Sequence, residues 1–91
     1  MMYEIRFTTE ANEGLLKLAK SELGAYKKAL KFIDELQKHP TTGTGHPERL
    51  KGFVQERWSR RISSKHRMVY EIYEKEIVVL ILTAYGHYND K

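Results

Sequence analysis

Four side chains in this sequence could together carry out one acid–base reaction. Glu48 stands between Pro47 and Arg49 at the head of a basic stretch, Arg61 and Arg67 lie inside that stretch, and His87 sits in the closing segment Tyr85-Gly86-His87-Tyr88. A carboxylate can take the proton of a ribose 2′-hydroxyl. An imidazole, with an ordinary pKa of about 6.5, can protonate a departing 5′-oxygen. Guanidinium groups can stabilise the charge that gathers on the phosphate between them. RNA is cut without a metal ion when these parts meet. Each residue also has a plainer reading. A carboxylate among cations is more often an ion-pair partner than a catalyst, and a lone histidine near a terminus is more often a surface or packing residue. His39, His46 and His66 read no further than that.

The distribution of charge favours a polyanion as partner. The formal net charge is +4. From His46 to Arg67 there are seven basic residues against Glu48 and Glu56, whereas the rest of the chain has nine basic and ten acidic residues. All of the excess positive charge therefore falls in one stretch. Five of its seven cations are arginine, the residue suited to bidentate phosphate contact. A face that is merely wetted mixes lysine with glutamate, as residues 10–38 do. RNA or DNA fits the basic stretch best.

Other classes are excluded or disfavoured. Without cysteine there is no disulfide framework, zinc–thiolate site or thiol nucleophile, and no His-x-x-x-His pair occurs. No metal and no cofactor is expected. The loop Thr41-Thr42-Gly43-Thr44-Gly45-His46-Pro47 lacks the Lys-Ser/Thr of a phosphate-binding loop and reads as a connector. The amino terminus has no apolar stretch like a signal peptide. The longest purely apolar run, Ile77 to Leu82, is far short of the ~20 residues a membrane helix needs. A cytoplasmic protein without membrane contact is expected.

These residues must be positioned by a small fold. The length, 91 residues, predicts a single domain over residues 1–91 with one modest core. Tyr3, Ile5 and Phe7 alternate with polar residues, as in a half-buried strand. Thr8 or Thr9 offers an N-cap to a helix carrying Ala11, Leu15, Leu18 and Ala19, and Gly24 offers its stop or bend. A second helix has the stripe Tyr26, Ala29, Leu30, Ile33 and Leu36 and ends before Pro40. The two should form a hairpin. Glu48 falls in a loop. From Arg57 to Ser63 the pattern alternates, with Trp58, Arg60 and Ile62 on one face and Arg57, Ser59 and Arg61 on the other. Arg67 to Glu74 reads as a further strand, Lys75-Glu76 as a turn, and Ile77 to Ala84, apolar on both faces, as a central strand. The expected class is α+β: an N-terminal strand, a helical hairpin, then an antiparallel three-strand meander in one sheet.

Four separated segments are similar to one known family. Gly43-Thr44-Gly45-His46-Pro47-Glu48-Arg49-Leu50-Lys51-Gly52, Trp58-Ser59-Arg60-Arg61-Ile62, His66-Arg67-Met68-Val69-Tyr70 and His87-Tyr88 resemble, in order and interval, the YoeB (Txe/YoeB) branch of the RelE-like toxins. The resemblance covers the whole chain and is strongest from about Gly43 onward; the helices match in length and pattern only. It implies the RelE-like toxin fold. It also implies a toxin of a bacterial type II toxin–antitoxin system, an endoribonuclease that cuts messenger RNA in the ribosomal A site and so inhibits translation. The cut is metal-free, proceeds by 2′-hydroxyl attack, and leaves a 2′,3′-cyclic phosphate and a 5′-hydroxyl.

By the same resemblance Glu48 is the general base, His87 the general acid, and Arg67 the group that stabilises the transition-state phosphate. Lys51 and Arg61 bind that phosphate, Tyr88 helps hold the terminal histidine or the nucleotide, and Arg60 is structural. The implied partners are a YefM-like antitoxin with an acidic carboxy-terminal segment, the 70S ribosome with its messenger RNA, and a second copy in a homodimer. Asn89, Asp90 and Lys91 extend past the His-Tyr pair at which the family commonly ends, and are expected outside the site. Three rival readings are a basic sheet that binds nucleic acid without cutting it, a gyrase-inhibiting toxin of the same fold, and a purely structural or interaction protein. An acid–base set of Glu48, Arg67 and His87-Tyr88 serves neither of the first two, and the third would not concentrate its charge in one stretch.

Overall fold

The computed structural model describes residues 2–86. Its elements run β1 (Glu4–Phe7), α1 (Thr9–Ser21), α2 (Leu23–Leu36), β2 (Glu48–Leu50), β3 (Arg57–Arg61), β4 (Arg67–Tyr73) and β5 (Val78–Thr83). The strands form one five-stranded sheet in the order β1-β5-β4-β3-β2. From β2 to β5 the chain is an antiparallel meander, and β1 pairs parallel with β5 on its outer side. The helical hairpin carries the chain from one edge of the sheet to the other. The α+β order expected from the patterning is the order observed.

Local chemistry explains where the helices begin and end. Thr8 is extended, and its hydroxyl oxygen accepts the Ala11 N–H at 3.0 Å while its O–H donates to the Leu82 carbonyl at 2.7 Å. One side chain thus caps α1 and ties it to β5. The break between the helices falls at Glu22 (φ −142°, ψ 69°), and Gly24 lies in the first turn of α2 rather than at the stop. In α2 the buried residues are Ala29, Phe32 and Leu36, and Leu30 faces solvent. Tyr26, Ala29, Ile33 and Leu36 of the expected stripe do pack against the core, and the place expected for Leu30 is taken by the fully buried Phe32.

The core lies between the hairpin and one face of the sheet. Ala11, Leu18, Ala29, Phe32 and Leu36 meet Met68, Tyr70, Ile72, Val79 and Ile81 there. Burial of this kind contributes about 25 cal/mol per Å² of apolar surface. Glu48 belongs to a three-residue edge strand, not to a loop, with its Cα opposite that of Ser59. Glu48-Arg49-Leu50 is too short and too polar to show a period, so the pairing comes from β3 and not from β2 itself. Ile77 completes the turn before β5, at φ +56°, and the strand starts at Val78. Among the described residues no helix is long and apolar enough to cross a membrane.

Candidate active site

Strand register assembles the site on the sheet face turned away from the helices. Glu48 on β2 lies opposite Ser59 on β3, Ser59 lies opposite Val69 on β4, and Arg61 lies opposite Arg67. With a side-chain period of two, Glu48, Ser59, Arg61 and Arg67 share one face, while Trp58 and Arg60 turn to the other. Glu48 and Arg67 are two strands apart, about 10 Å at the usual strand spacing. Only a side chain as long as arginine spans that, and its Nη1 comes to 4.0 Å from Glu48 Oε1, with the small Ser59 as the register position between them. The Glu48 side chain is 67% exposed and that of Arg67 27%. In water such a pair contributes little, about 0–1 kcal/mol, so an incoming anion can take the guanidinium from the carboxylate. Arg61 and Lys51 are exposed, and neither makes an ion pair with a described residue.

A buried arginine holds the loop that delivers Glu48. Arg60 is 0% exposed. Its Nη1 donates to Glu35 Oε1 at 2.7 Å and to the Thr44 carbonyl at 3.2 Å. Its Nη2 donates to the His39 and Thr42 carbonyls, both at 2.7 Å, and its Nε to the Tyr70 hydroxyl at 3.2 Å. That hydroxyl in turn donates to the Pro40 carbonyl at 2.7 Å. Thr44 donates to Glu35 through both its backbone N–H and its hydroxyl. At Gly45, φ is +83° and a Cβ would fall 2.4 Å from Phe32 Cζ, so only glycine fits. The Gly45 carbonyl accepts the Arg61 N–H at 2.7 Å. The loop is therefore pinned along its length, and Glu48 emerges three residues later in a fixed direction. Of the adjacent arginines, Arg60 serves structure and Arg61 faces outward, as the alternation predicts.

Two ionisable groups in this support are perturbed. Burial pushes the Glu35 carboxyl up, but the Thr44 N–H and hydroxyl and the Arg60 guanidinium together outweigh it and hold the carboxyl below its ordinary range. Burial pushes the Tyr70 phenol above its ordinary value, against the pull of Arg60.

The chain after β5 returns to the start of β4. The Arg67 N–H donates to the Gly86 carbonyl at 2.9 Å, and the Gly86 N–H donates to His66 Nδ1 at 2.8 Å. His87 and Tyr88, expected as acid and as its support, lie outside the described residues, as do Asn89, Asp90 and Lys91. The described part thus brings Glu48, Arg61 and Arg67 onto one face and leaves Lys51 just past the end of β2. It also reveals a residue that sequence reasoning passed over. His66 is 3% exposed and meets Glu22, 44 residues away in the chain, a distance over which no local pattern signals a contact. Among the described residues no group of acidic and histidine side chains could hold a metal ion. The arrangement offers a wet carboxylate that can accept a proton, beside guanidinium groups that can hold a phosphate.

This sheet order, with a helical hairpin on one face and a basic site on the other, is the RelE-like fold. The RelE–RelB complex from Pyrococcus horikoshii shares the fold, with a TM-score of 0.78 at 22% identity over 99% of this chain and all of that one. Residues 7–88 match the model of the YoeB-like toxins of bacterial type II toxin–antitoxin systems, and the chain belongs to that family. It is 36% identical over 84 residues to Toxin YoeB of Streptomyces coelicolor, covering 92% of this chain and 98% of the relative. Staphylococcus aureus YoeB, solved as a dimer and in a heterotetrameric complex with YefM, is 26% identical, with TM-scores of 0.81 and 0.79 over 97% of this chain and all of that one.

Proposed function

We propose that this type II toxin is a metal-free endoribonuclease that cuts messenger RNA in the ribosomal A site and so inhibits translation. The observation that carries the reading is the approach of Arg67 to Glu48, 4.0 Å apart on the open sheet face beside Arg61, within the stretch that holds all of the excess positive charge. Glu48 takes the proton of the 2′-hydroxyl, O2′ attacks phosphorus, and the bond to the 5′-oxygen breaks. Arg67, with Lys51 and Arg61, stabilises the negative charge of the crowded phosphate. His87 gives its proton to the leaving oxygen, and Tyr88 supports it. The products are a 2′,3′-cyclic phosphate and a 5′-hydroxyl. A YefM-like antitoxin with an acidic carboxy-terminal segment would cover the basic face, as complementary charge allows. A second copy would pair with the first, in the manner of the S. aureus dimer, and both would work in the cytoplasm.

Single-turnover cleavage on programmed ribosomes tests the mechanism. Glu48→Gln and His87→Gln should each slow the chemical step by about 10²–10⁴, the usual contribution of a positioned acid or base, with melting temperatures close to the parent. A 2′-deoxy nucleotide at the cut should block it. A 5′-phosphate on the downstream fragment would overturn the mechanism.

A further inference from the structure

We propose that His66 is a positioning residue that latches Gly86 and thereby sets the direction in which the chain enters His87. The proposal rests on the reading of His87 as the general acid.

Three contacts converge on the His66 ring. Nδ1 accepts the Gly86 N–H at 2.8 Å, Nε2 lies 2.9 Å from Glu22 Oε2, and the Tyr85 ring packs against it at 4.4 Å between centroids, tilted by 40°. A backbone N–H can only donate, so Nδ1 presents its lone pair. The ring proton is then on Nε2 and is donated to Glu22, which fixes the tautomer and the orientation of the ring. Glu22 stands at the N-cap of α2 but makes no side-chain cap bond there. Its carboxylate is directed to the histidine instead.

The position of the grip separates a positioning role from a general structural one. β5 ends at Thr83 and is already held by β1 on one side and β4 on the other, and the last core residue of the segment is Ala84. Gly86 lies beyond both, at φ +79°. Its N–H goes to His66 and its carbonyl accepts from the Arg67 N–H, so two consecutive residues grip both of its polar groups. The same Arg67 reaches Glu48 through its side chain. Base, phosphate clamp and the residue before the acid are thus connected through residues 66 and 67. A catalytic group displaced by about 1 Å can lose about 10²-fold in rate, which is what a loosened Gly86 would do to the residue after it.

Two substitutions divide the contacts. His66→Phe keeps a ring against Tyr85 and removes both hydrogen bonds, whereas His66→Asn keeps an acceptor where Nδ1 stands. In single-turnover cleavage on programmed ribosomes, His66→Phe should slow the chemical step by about 10–100-fold, with the half-saturating toxin concentration unchanged. His66→Asn should recover most of that rate. Added to His87→Gln, His66→Phe should cost almost nothing more, because groups acting as one unit are not additive. Amide hydrogen exchange reads the latch without any cleavage: Gly86 should be protected in the parent and in His66→Asn, and exposed in His66→Phe. A folded His66→Phe protein that cuts at the parent rate overturns the proposal, as does a full additive loss on top of His87→Gln. Should His66→Phe fail to fold, Glu22→Ala removes the anchor of the ring from a more exposed site, and parental cleavage by that variant is equally decisive. If the parent itself does not cut RNA, the ribonuclease reading fails, and a Gly86 amide that exchanges equally fast in parent and His66→Phe removes the latch separately.

Discussion

Replacing Arg60 by alanine should strip the molecule of much of its stability and loosen the loop that leads to Glu48. The side chain is fully buried and donates to Glu35, to the carbonyls of His39, Thr42 and Thr44, and to the Tyr70 hydroxyl. Removing one partner of a buried pair costs about 3–5 kcal/mol, because the other polar groups stay behind unpaired. Glu35 keeps 21% of its side chain exposed, so water can satisfy part of it, and the lower end of that range applies. A chain of this size is stable by about 5–14 kcal/mol in all. With each kcal/mol moving the midpoint by about 4–8 °C, a loss of about 3 kcal/mol lowers Tm by about 12–24 °C. Arg60→Lys keeps a cation beside Glu35 but lacks the planar fork that reaches two carbonyls at once, and should fall between alanine and the parent. Circular dichroism melts at neutral pH, with urea titrations to fix the m-value, measure both. A folded Arg60→Ala protein that melts within about 4 °C of the parent, less than 1 kcal/mol by the same conversion, would refute the account of the loop given above.

Three other outcomes are expected. Since the Glu35 carboxyl is held below its ordinary 4.5, its stabilisation is complete above that pH and is lost as pH falls through the lowered value. Melting temperature below about pH 4.5 should therefore fall more steeply in the parent than in Glu35→Gln, and parallel curves would exclude the effect. Gly45→Ala meets both a positive φ and the Phe32 ring, whereas Gly52→Ala, at φ +90°, meets no atom within 4 Å; the first should cost clearly more in urea titrations than the roughly 1 kcal/mol of the second. Ribosome or RNA binding should weaken with salt by about 0.7–0.9 in log affinity per log salt for each phosphate neutralised, and Arg61→Gln should reduce that slope by about one such increment. Binding indifferent to salt would contradict the phosphate-contact reading.

The sequence made the order of elements legible because each strand of the meander carries its own alternation. The split of Arg60 inward and Arg61 outward follows from the same period. The basic stretch was legible from composition alone, and the convergence of Glu48, Arg61 and Arg67 from their motifs. What stayed hidden depends on partners far along the chain. Glu48-Arg49-Leu50 becomes a strand only through β3. The helix break falls at Glu22 rather than at Gly24, and the Glu22 carboxylate goes to His66 instead of capping α2. In α2 the buried Phe32 takes the core place expected for Leu30, while the rest of the expected stripe packs as the pattern implies. That Arg60 gathers three carbonyls of one loop cannot be read from a pattern of side chains.

The place of β5 in the sheet has a consequence for biosynthesis. It is the last of the described strands to be made, yet it lies between the first of them and the rest of the meander. Strands β2 to β4 can pair as a hairpin ladder while the chain is still growing, but β1 has no neighbour until residues 78–83 exist. Pairing at such long sequence separation is slow and comes late. The amino-terminal strand therefore waits until β5 has been made, and any partner that recognises the closed sheet can meet the chain only after that.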